Sequence, residues 1–295
     1  MTAALICVGE CMLELSERAD GSIAKAFGGD SLNTAVYAAR SGADVAYMTA
    51  LGDDLFSAEM IAAWASEGIG TGKVRQVTDR LPGLYWIKTD ATGERSFHYW
   101  RNQAPYRDMF QGASGADALA DLRRADWLYL TGISLAVLDV ESRLAVFETM
   151  RTIVENGGQV AFDINYRPIL WEDVAEAAST LQVALSWSTI ALPGLDDMRA
   201  VFGTNTPAAA LRQLESFGVQ EAVIKNGSAG VHLSSGDVIE AEPVANVIDT
   251  TAAGDAFNGA YLAARMNGSN AETAARAGQS LAAKVIQAPG AIIPR

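Results

Sequence analysis

Short apolar runs alternate with amphipathic stretches of helical length along most of this chain, and few folds accept that order. ALICVGE, DVAYMTALG, ADWLYLTGI, QVAFDINYR and STIALPGLDD read as strands with apolar side chains on both faces, as strands covered on both sides do. Between them, SLNTAVYAARSG, FSAEMIAAWASEG and SRLAVFETMRTIVENGG read as helices, with Ser31 placed to cap the first and Gly42 to end it. Parallel strands need crossovers of about this length, so the alternation predicts an α/β domain with a largely parallel sheet covered by helices on both faces. EAVIKNGSAGVHLSSGDVIEAE then reads as strands joined by Gly turns, and the rest is helical through about Gln287.

One segment breaks the alternation. In GLYWIKTDATGERSFHYWR, two alternating strands flank Asp90-Ala-Thr-Gly93, a hairpin signal with Gly at the turn, and no helix follows. With LELSERADGSIAKAF it predicts a small β-sheet lid. The expectation is one domain over 1–295, into which a lid formed by about 12–27 and 75–107 is inserted.

With 295 residues, 49% of them hydrophobic, the chain can bury a core of that size. Its 35 acids against 22 bases give a net charge of −13, which argues against nucleic acid or an anionic membrane as partner. An anionic substrate would therefore need bases concentrated at its own site. No apolar run reaches the roughly 18 residues of a membrane helix, and MTAALICVGE lacks the basic start of a secretory leader, so a cytoplasmic setting is expected. Cys7 and Cys11, four apart, read as small buried hydrophobes; extended chain would hold them too far apart for a disulfide.

EGIGTGKV, residues 67–74, fails as a P-loop, because Glu67 stands where the first Gly is required and Val74 where Ser or Thr is. No GxGxxG occurs either. DTTAAGDAF, residues 249–257, offers another grip on phosphate: Ala252, Ala253 and Gly254 leave consecutive backbone N–H groups open to an anion as a helix begins. Asp255 would stand beside that anion, where a carboxylate can take a proton from an attacking hydroxyl. It could equally be a helix cap, and the stretch alone does not choose.

FGGDSLNTAVYAARSG, residues 27–42, and DTTAAGDAF together resemble the two signatures of the PfkB, or ribokinase-like, carbohydrate kinases: GGxxxN before a small-residue helix, and DTxGAGD. Ala253 matches the Ala of the second signature, and Ala252 replaces its first Gly while keeping the N–H. The two stretches lie more than 200 residues apart, in the expected order. The resemblance implies a ribokinase-like three-layer α/β/α domain with a mostly parallel central sheet and a small inserted β-sheet lid. GECMLELSE, RLPGLYWIKTDATGERSFHYWRNQA, YLTGISLA, FDINYRPILW and GAIIPR are similar to those members that phosphorylate 2-keto-3-deoxygluconate with ATP. The rival readings are a kinase of the same fold acting on 2-keto-3-deoxygalactonate, fructose or ribose, and a sugar-acid sensor without turnover.

The residues of the hairpin give the same direction. Tyr99 and Arg101 are two apart and share a strand face, where an aromatic wall and a cation could meet a sugar acid, with Tyr85 on the partner strand; the alternative is a solvated Arg beside packing tyrosines. Arg167, before Pro168, could supply a second cation. By the resemblance, Gly29, Asp30, Asn33, Tyr85, Tyr99, Arg101, Arg167 and Asp255 surround the sugar acid, and Asp255 is the base. Ala252, Ala253 and Gly254 would hold the transferred phosphate. Asn165 and Arg167 would face the phosphates, and Lys225, Gly227, Ser228, Ala229 and Gly230 the rest of ATP. On its residues alone, 225–230 reads as a hairpin turn.

Asp249 and Thr251 would lie near a potassium ion. The magnesium-associated NxxE pattern is not kept: Gly194 and Asp197 occupy its Asn and Glu positions, leaving Asp197 to act through water and magnesium to arrive mainly with ATP. The expected partners are ATP, a sugar acid and further copies of the chain, as a homodimer or larger homo-oligomer through the lid, because aromatic lid strands leave open edges.

Overall fold

A computed structural model describes residues 4–17, 20–89 and 95–295. The predicted turn at Asp90 to Gly93 lies outside the described residues. Thirteen strands follow in order: β1 Leu5–Val8, β2 Met12–Glu17, β3 Ile23–Gly28, β4 Val45–Gly52, β5 Val74–Val77, β6 Leu84–Thr89, β7 Arg95–Trp100, β8 Trp127–Thr131, β9 Gln159–Asp163, β10 Ile190–Ala191, β11 Glu221–Lys225, β12 Val231–Leu233 and β13 Val238–Ile239. Nine of them form one sheet in the order β13-β12-β11-β10-β9-β8-β1-β4-β5, and β3-β2-β6-β7 form a second. The large sheet is parallel from β11 to β5 and antiparallel only at β12 and β13.

Alternation within each strand feeds two separate cores. Ile6 and Val8 of β1 join one apolar cluster with Leu128, Leu130 and Phe162, while Leu5 and Cys7 join another with Tyr129 and Ala161. Burial on both sides explains the unbroken apolar runs, and helices pack over each face to give the three layers. Both cysteines are buried and unpaired, Cys7 beside Leu5 in that second cluster.

The chain leaves β1 for β4 on one side and later returns to β8 on the other. Such a reversal opens a crevice beyond the carboxyl ends of the strands, where open α/β sheets bind ligands. Glu10, Thr131 and Asp163 stand at those ends.

Three details differ from the sequence expectation. The stretch 75–77, expected in the lid, pairs with β4 at the edge of the large sheet; the small sheet resumes only at Leu84. Its alternation is equally compatible with an edge strand, and pattern alone cannot name the partner. The first helix, Asp30–Arg40, starts from Gly29, and Ser31 lies inside it, its hydroxyl 3.0 Å from the Tyr47 hydroxyl. A fully buried Ser31 serves a tertiary partner rather than the helix end. The strand predicted in STIALPGLDD is two residues long before the chain turns into Leu195–Phe202.

In the small sheet β2 pairs antiparallel with β3 and parallel with β6, and β6 pairs antiparallel with β7. The rings of Tyr85, Phe97 and Tyr99 share one face, with centroids 5.8 to 6.5 Å apart. Ile23, Phe97, Tyr99 and Trp100 remain exposed. Among the described residues no helix is long and apolar enough to cross a membrane.

Candidate active site

The DTTAAGDAF stretch makes a tight turn into the helix Ala253–Met266. Asp249 braces it: one carboxylate oxygen accepts from the N–H (3.0 Å) and hydroxyl (2.6 Å) of Thr251, the other from the N–H of Gly290 at 3.0 Å. Ala252 then takes φ 59°, ψ 13°, a left-handed conformation that a Cβ disfavours by about 1–2 kcal/mol. Ala253 donates to the Thr250 carbonyl at 3.2 Å. That N–H is therefore spoken for, and the row of three donors expected at Ala252, Ala253 and Gly254 is broken at Ala253. The N–H groups of Ala252, Gly254 and Asp255 have no backbone acceptor among the described residues, as first-turn donors do not. With the helix dipole behind them, donors so placed can hold an anion.

Asp255 lies in the first turn of that helix, and the Asn33 side-chain amide, 222 residues away in sequence, donates to its Oδ2 at 2.9 Å. Burial raises its pKa to about 7, helped by the charges of Asp30 and Asp163 and opposed by the Asn33 bond and Lys225. A carboxylate poised there suits general base chemistry near neutrality. Asp30 is held by the Thr131 hydroxyl at 2.6 Å and by the Asn165 amide at 2.8 Å. Asn165, at φ 33°, thus ties the end of β9 to the start of the first helix.

The Lys225 ammonium turns inward, bonding Asp163 at 2.6 Å and Asn258 at 3.1 Å. Beyond it, Gly227 to Ala229 form an exposed turn between β11 and β12. Asp197 accepts from the Tyr166 N–H at 3.2 Å, and burial raises its pKa to about 6 with Asp163 adding to the effect. Among the described residues no three acidic, His or Cys side chains gather to hold a metal ion.

On the other side of the crevice, the Tyr85 hydroxyl donates to Glu14, and a Cβ on Gly28 would fall 1.9 Å from that hydroxyl oxygen. A Cβ on Gly29 would meet the Glu10 carbonyl at 2.5 Å. The first glycine thus lets β3 close on β6 within the small sheet, and the second lets the helix start close on the segment that leaves β1. Arg101 is buried rather than solvated, stacked over the Tyr99 ring at 5.8 Å and ion-paired with buried Glu10. Arg101 Nε and Glu10 Oε1 are buried without a partner, and so is Asn33 Oδ1. Arg167 is exposed, donating to the Tyr166 carbonyl at 2.8 Å, and makes no ion pair among the described residues.

The pfkB family of carbohydrate kinases matches residues 2–295. The chain belongs to that family. Among its pfkB relatives, the 2-dehydro-3-deoxygluconokinase of Escherichia coli K12 is 42% identical, the match covering 100% of this chain and 98% of that protein. The enzyme of the same name from Dickeya dadantii is 42% identical over 97% of this chain and 96% of its own. Among solved structures, a PfkB protein from Polaromonas sp. JS666 superposes with a TM-score of 0.86 at 25% identity, covering 97% of this chain and 96% of its own.

Sequence reasoning missed four residues of this pfkB site: Glu10, Glu14, Asp163 and Asn258. GECMLELSE contains two of them, but nothing in its spacing shows that its acids reach across to Arg101 and Tyr85. Asp163 and Asn258 find Lys225 only through the fold.

Proposed function

We propose that this kinase phosphorylates the primary hydroxyl of 2-dehydro-3-deoxy-D-gluconate, also called 2-keto-3-deoxygluconate, with ATP, giving the 6-phospho sugar acid and ADP. The observation that carries the reading is Asp255, held by Asn33 at a helix N-terminus where the N–H groups of Ala252, Gly254 and Asp255 have no backbone acceptor among the described residues. The relatives named 2-dehydro-3-deoxygluconokinase support the substrate.

Asp255 accepts the hydroxyl proton as that oxygen attacks the γ-phosphorus, and the bond from phosphorus to the β-phosphate oxygen breaks. N–H groups of Ala252, Gly254 and Asp255 take up charge on the phosphoryl oxygens. Tyr85 and Tyr99 wall the sugar acid, Gly29 and Asn33 line it, and Arg101 with Arg167 meets its carboxylate. Asp30 acts by holding Thr131 and Asn165. The turn of Gly227, Ser228, Ala229 and Gly230, exposed over its first three residues, faces ATP, with Asn165 and Arg167 toward the phosphates.

Magnesium bound to ATP offsets phosphate charge, and Asp197 is the carboxylate we assign to it, through water. Asp249 and Thr251 are the residues we assign to a potassium ion at this turn, a carboxylate keeping lone pairs beyond the bonds it accepts. The small sheet acts as the lid of one domain and excludes water on closing. Its edge strands β3 and β7, with exposed Ile23 and Trp100, support a homodimer or larger homo-oligomer. ATP and a small sugar acid as partners fit a cytoplasmic setting.

A coupled ADP-release assay across sugar acids and neutral sugars tests the reading. Turnover of 2-dehydro-3-deoxygluconate well above fructose and ribose is expected. Activity on fructose alone would remove the substrate and leave the kinase.

A further inference from the structure

Behind the anion loop lies a charge pair that the transfer step itself does not touch. Asp163 ends β9 and Lys225 ends β11, and their side chains keep only 5% and 15% of their exposure. Asn258, one turn beyond Asp255 on the same helix, accepts from Lys225 and donates to Asp163 at 2.7 Å and to the Tyr129 hydroxyl at 3.1 Å. The ammonium also sits directly behind the loop: a Cβ built on Gly254 would lie 3.3 Å from it. β9, β11 and the helix Ala253–Met266 therefore meet at one cation, with Tyr129 of β8 bonded to Asn258 beside it.

Such a pair is costly to bury, and a well-packed apolar pair would serve stability as well. Its placement argues for a different role. We propose that Asp163 and Lys225 are a positioning pair for phosphoryl transfer: Asp163 holds the ammonium against the back of the anion loop, and their two charges together set the field in which Asp255 works. The inference rests on the reading of Asp255 as the base.

The groups facing Asp255 are Asp30, Asn33 and Tyr37 from the first helix, Tyr129 from β8, Asp163 from β9 and Lys225 from β11. Of the charged ones, Lys225 alone favours the ionised base, and Asp163 both opposes ionisation directly and neutralises that lysine. Removing either member therefore has opposite consequences. Asp163→Asn keeps shape, removes a negative charge and leaves the ammonium unneutralised, so Asp255 releases its proton more readily. Lys225→Met leaves Asp163 unneutralised, so Asp255 holds its proton more tightly.

The test is kcat/KM for 2-dehydro-3-deoxygluconate against pH at saturating magnesium and ATP. Relative to wild type, the acid limb should move down in Asp163→Asn and up in Lys225→Met, each by on the order of one pH unit. The double variant should return toward the wild-type limb. Titration of ATP is common to all four proteins and cancels. Limbs that stay in place while rates fall uniformly, or that move the same way in both variants, overturn the proposal and leave only structural bracing. If Lys225→Met does not fold, Asp163→Asn decides alone: an unmoved or raised limb overturns it. Absence of turnover by wild type is a different result, which removes the functional reading itself.

Discussion

The body and the small sheet meet the same crevice with different materials. On the body side, the grip we propose is made by main-chain N–H groups at a helix start, braced by Asp249 and backed by Lys225. On the small-sheet side, side chains do it: a row of rings and an arginine anchored to Glu10. A grip made of backbone tolerates exchange of the residues that carry it, as long as they stay small; Ala252 in place of the family's Gly is an instance. A grip made of side chains changes with every substitution. On the proposed reading, the contrast places phosphate recognition in the fold and sugar recognition in individual residues.

The strongest way to break the body half alone is Asp255→Asn, which should lower turnover by about 10²–10⁴-fold. Calorimetry should still detect sugar-acid binding, because Tyr85, Tyr99 and Arg101 are untouched. Near-normal turnover would remove Asp255 from the role of base.

Arg101→Ala breaks the other half. Loss of a charge-assisted contact should raise KM for the sugar acid by about 10–100-fold and leave KM for ATP within a few-fold, by steady-state kinetics in each substrate. Equal losses in both would erase the division between the two sides.

Proton linkage sharpens the comparison further. With its folded pKa raised to about 7, Asp255 is protonated below that value, so the rate should fall as pH drops through it. For stability the sign is opposite to that of a salt-bridged carboxylate. A raised folded pKa contributes stability fully present below the unfolded value near 4 and lost as pH rises through about 7. Thermal unfolding should therefore show Asp255→Asn gaining on wild type between pH 5 and pH 8. Activity and stability pull apart at this residue.

The smallest effect is expected at Ala252. Replacing it with Gly relieves the left-handed strain but adds freedom to the unfolded chain, leaving a net gain of about 1 kcal/mol or less in denaturant melts. ATP kinetics should barely change, since the N–H stays in place. A large rise in KM for ATP would mean that the methyl shapes the loop.

Much of the fold was legible because burial on both faces writes unbroken apolar runs, and the runs of β1, β4, β8 and β9 are interior strands of the sheet. The anion loop was legible because small residues before an acid have few other uses. What the sequence concealed is mutual neutralisation. Arg101 read as a cation waiting for substrate, and Lys225 as a residue of the ATP turn; each is paired with an acid distant in the chain. Single charges carry no mark of their future partner. Nor does alanine mark a left-handed backbone, as glycine does, so the Ala252 geometry and the diverted N–H of Ala253 were equally hidden.

The bond between Asn33 and Asp255 has a consequence for how the protein is made. A chain emerging from its N-terminus completes Asn33 and the aromatic sheet early, and holds them through most of its synthesis without a base or an anion loop. Chains that end before Asp255 lack the proposed base and anion loop, and on that reading cannot transfer phosphate. Catalytic competence arrives as a late event of translation, after the last strands are in place.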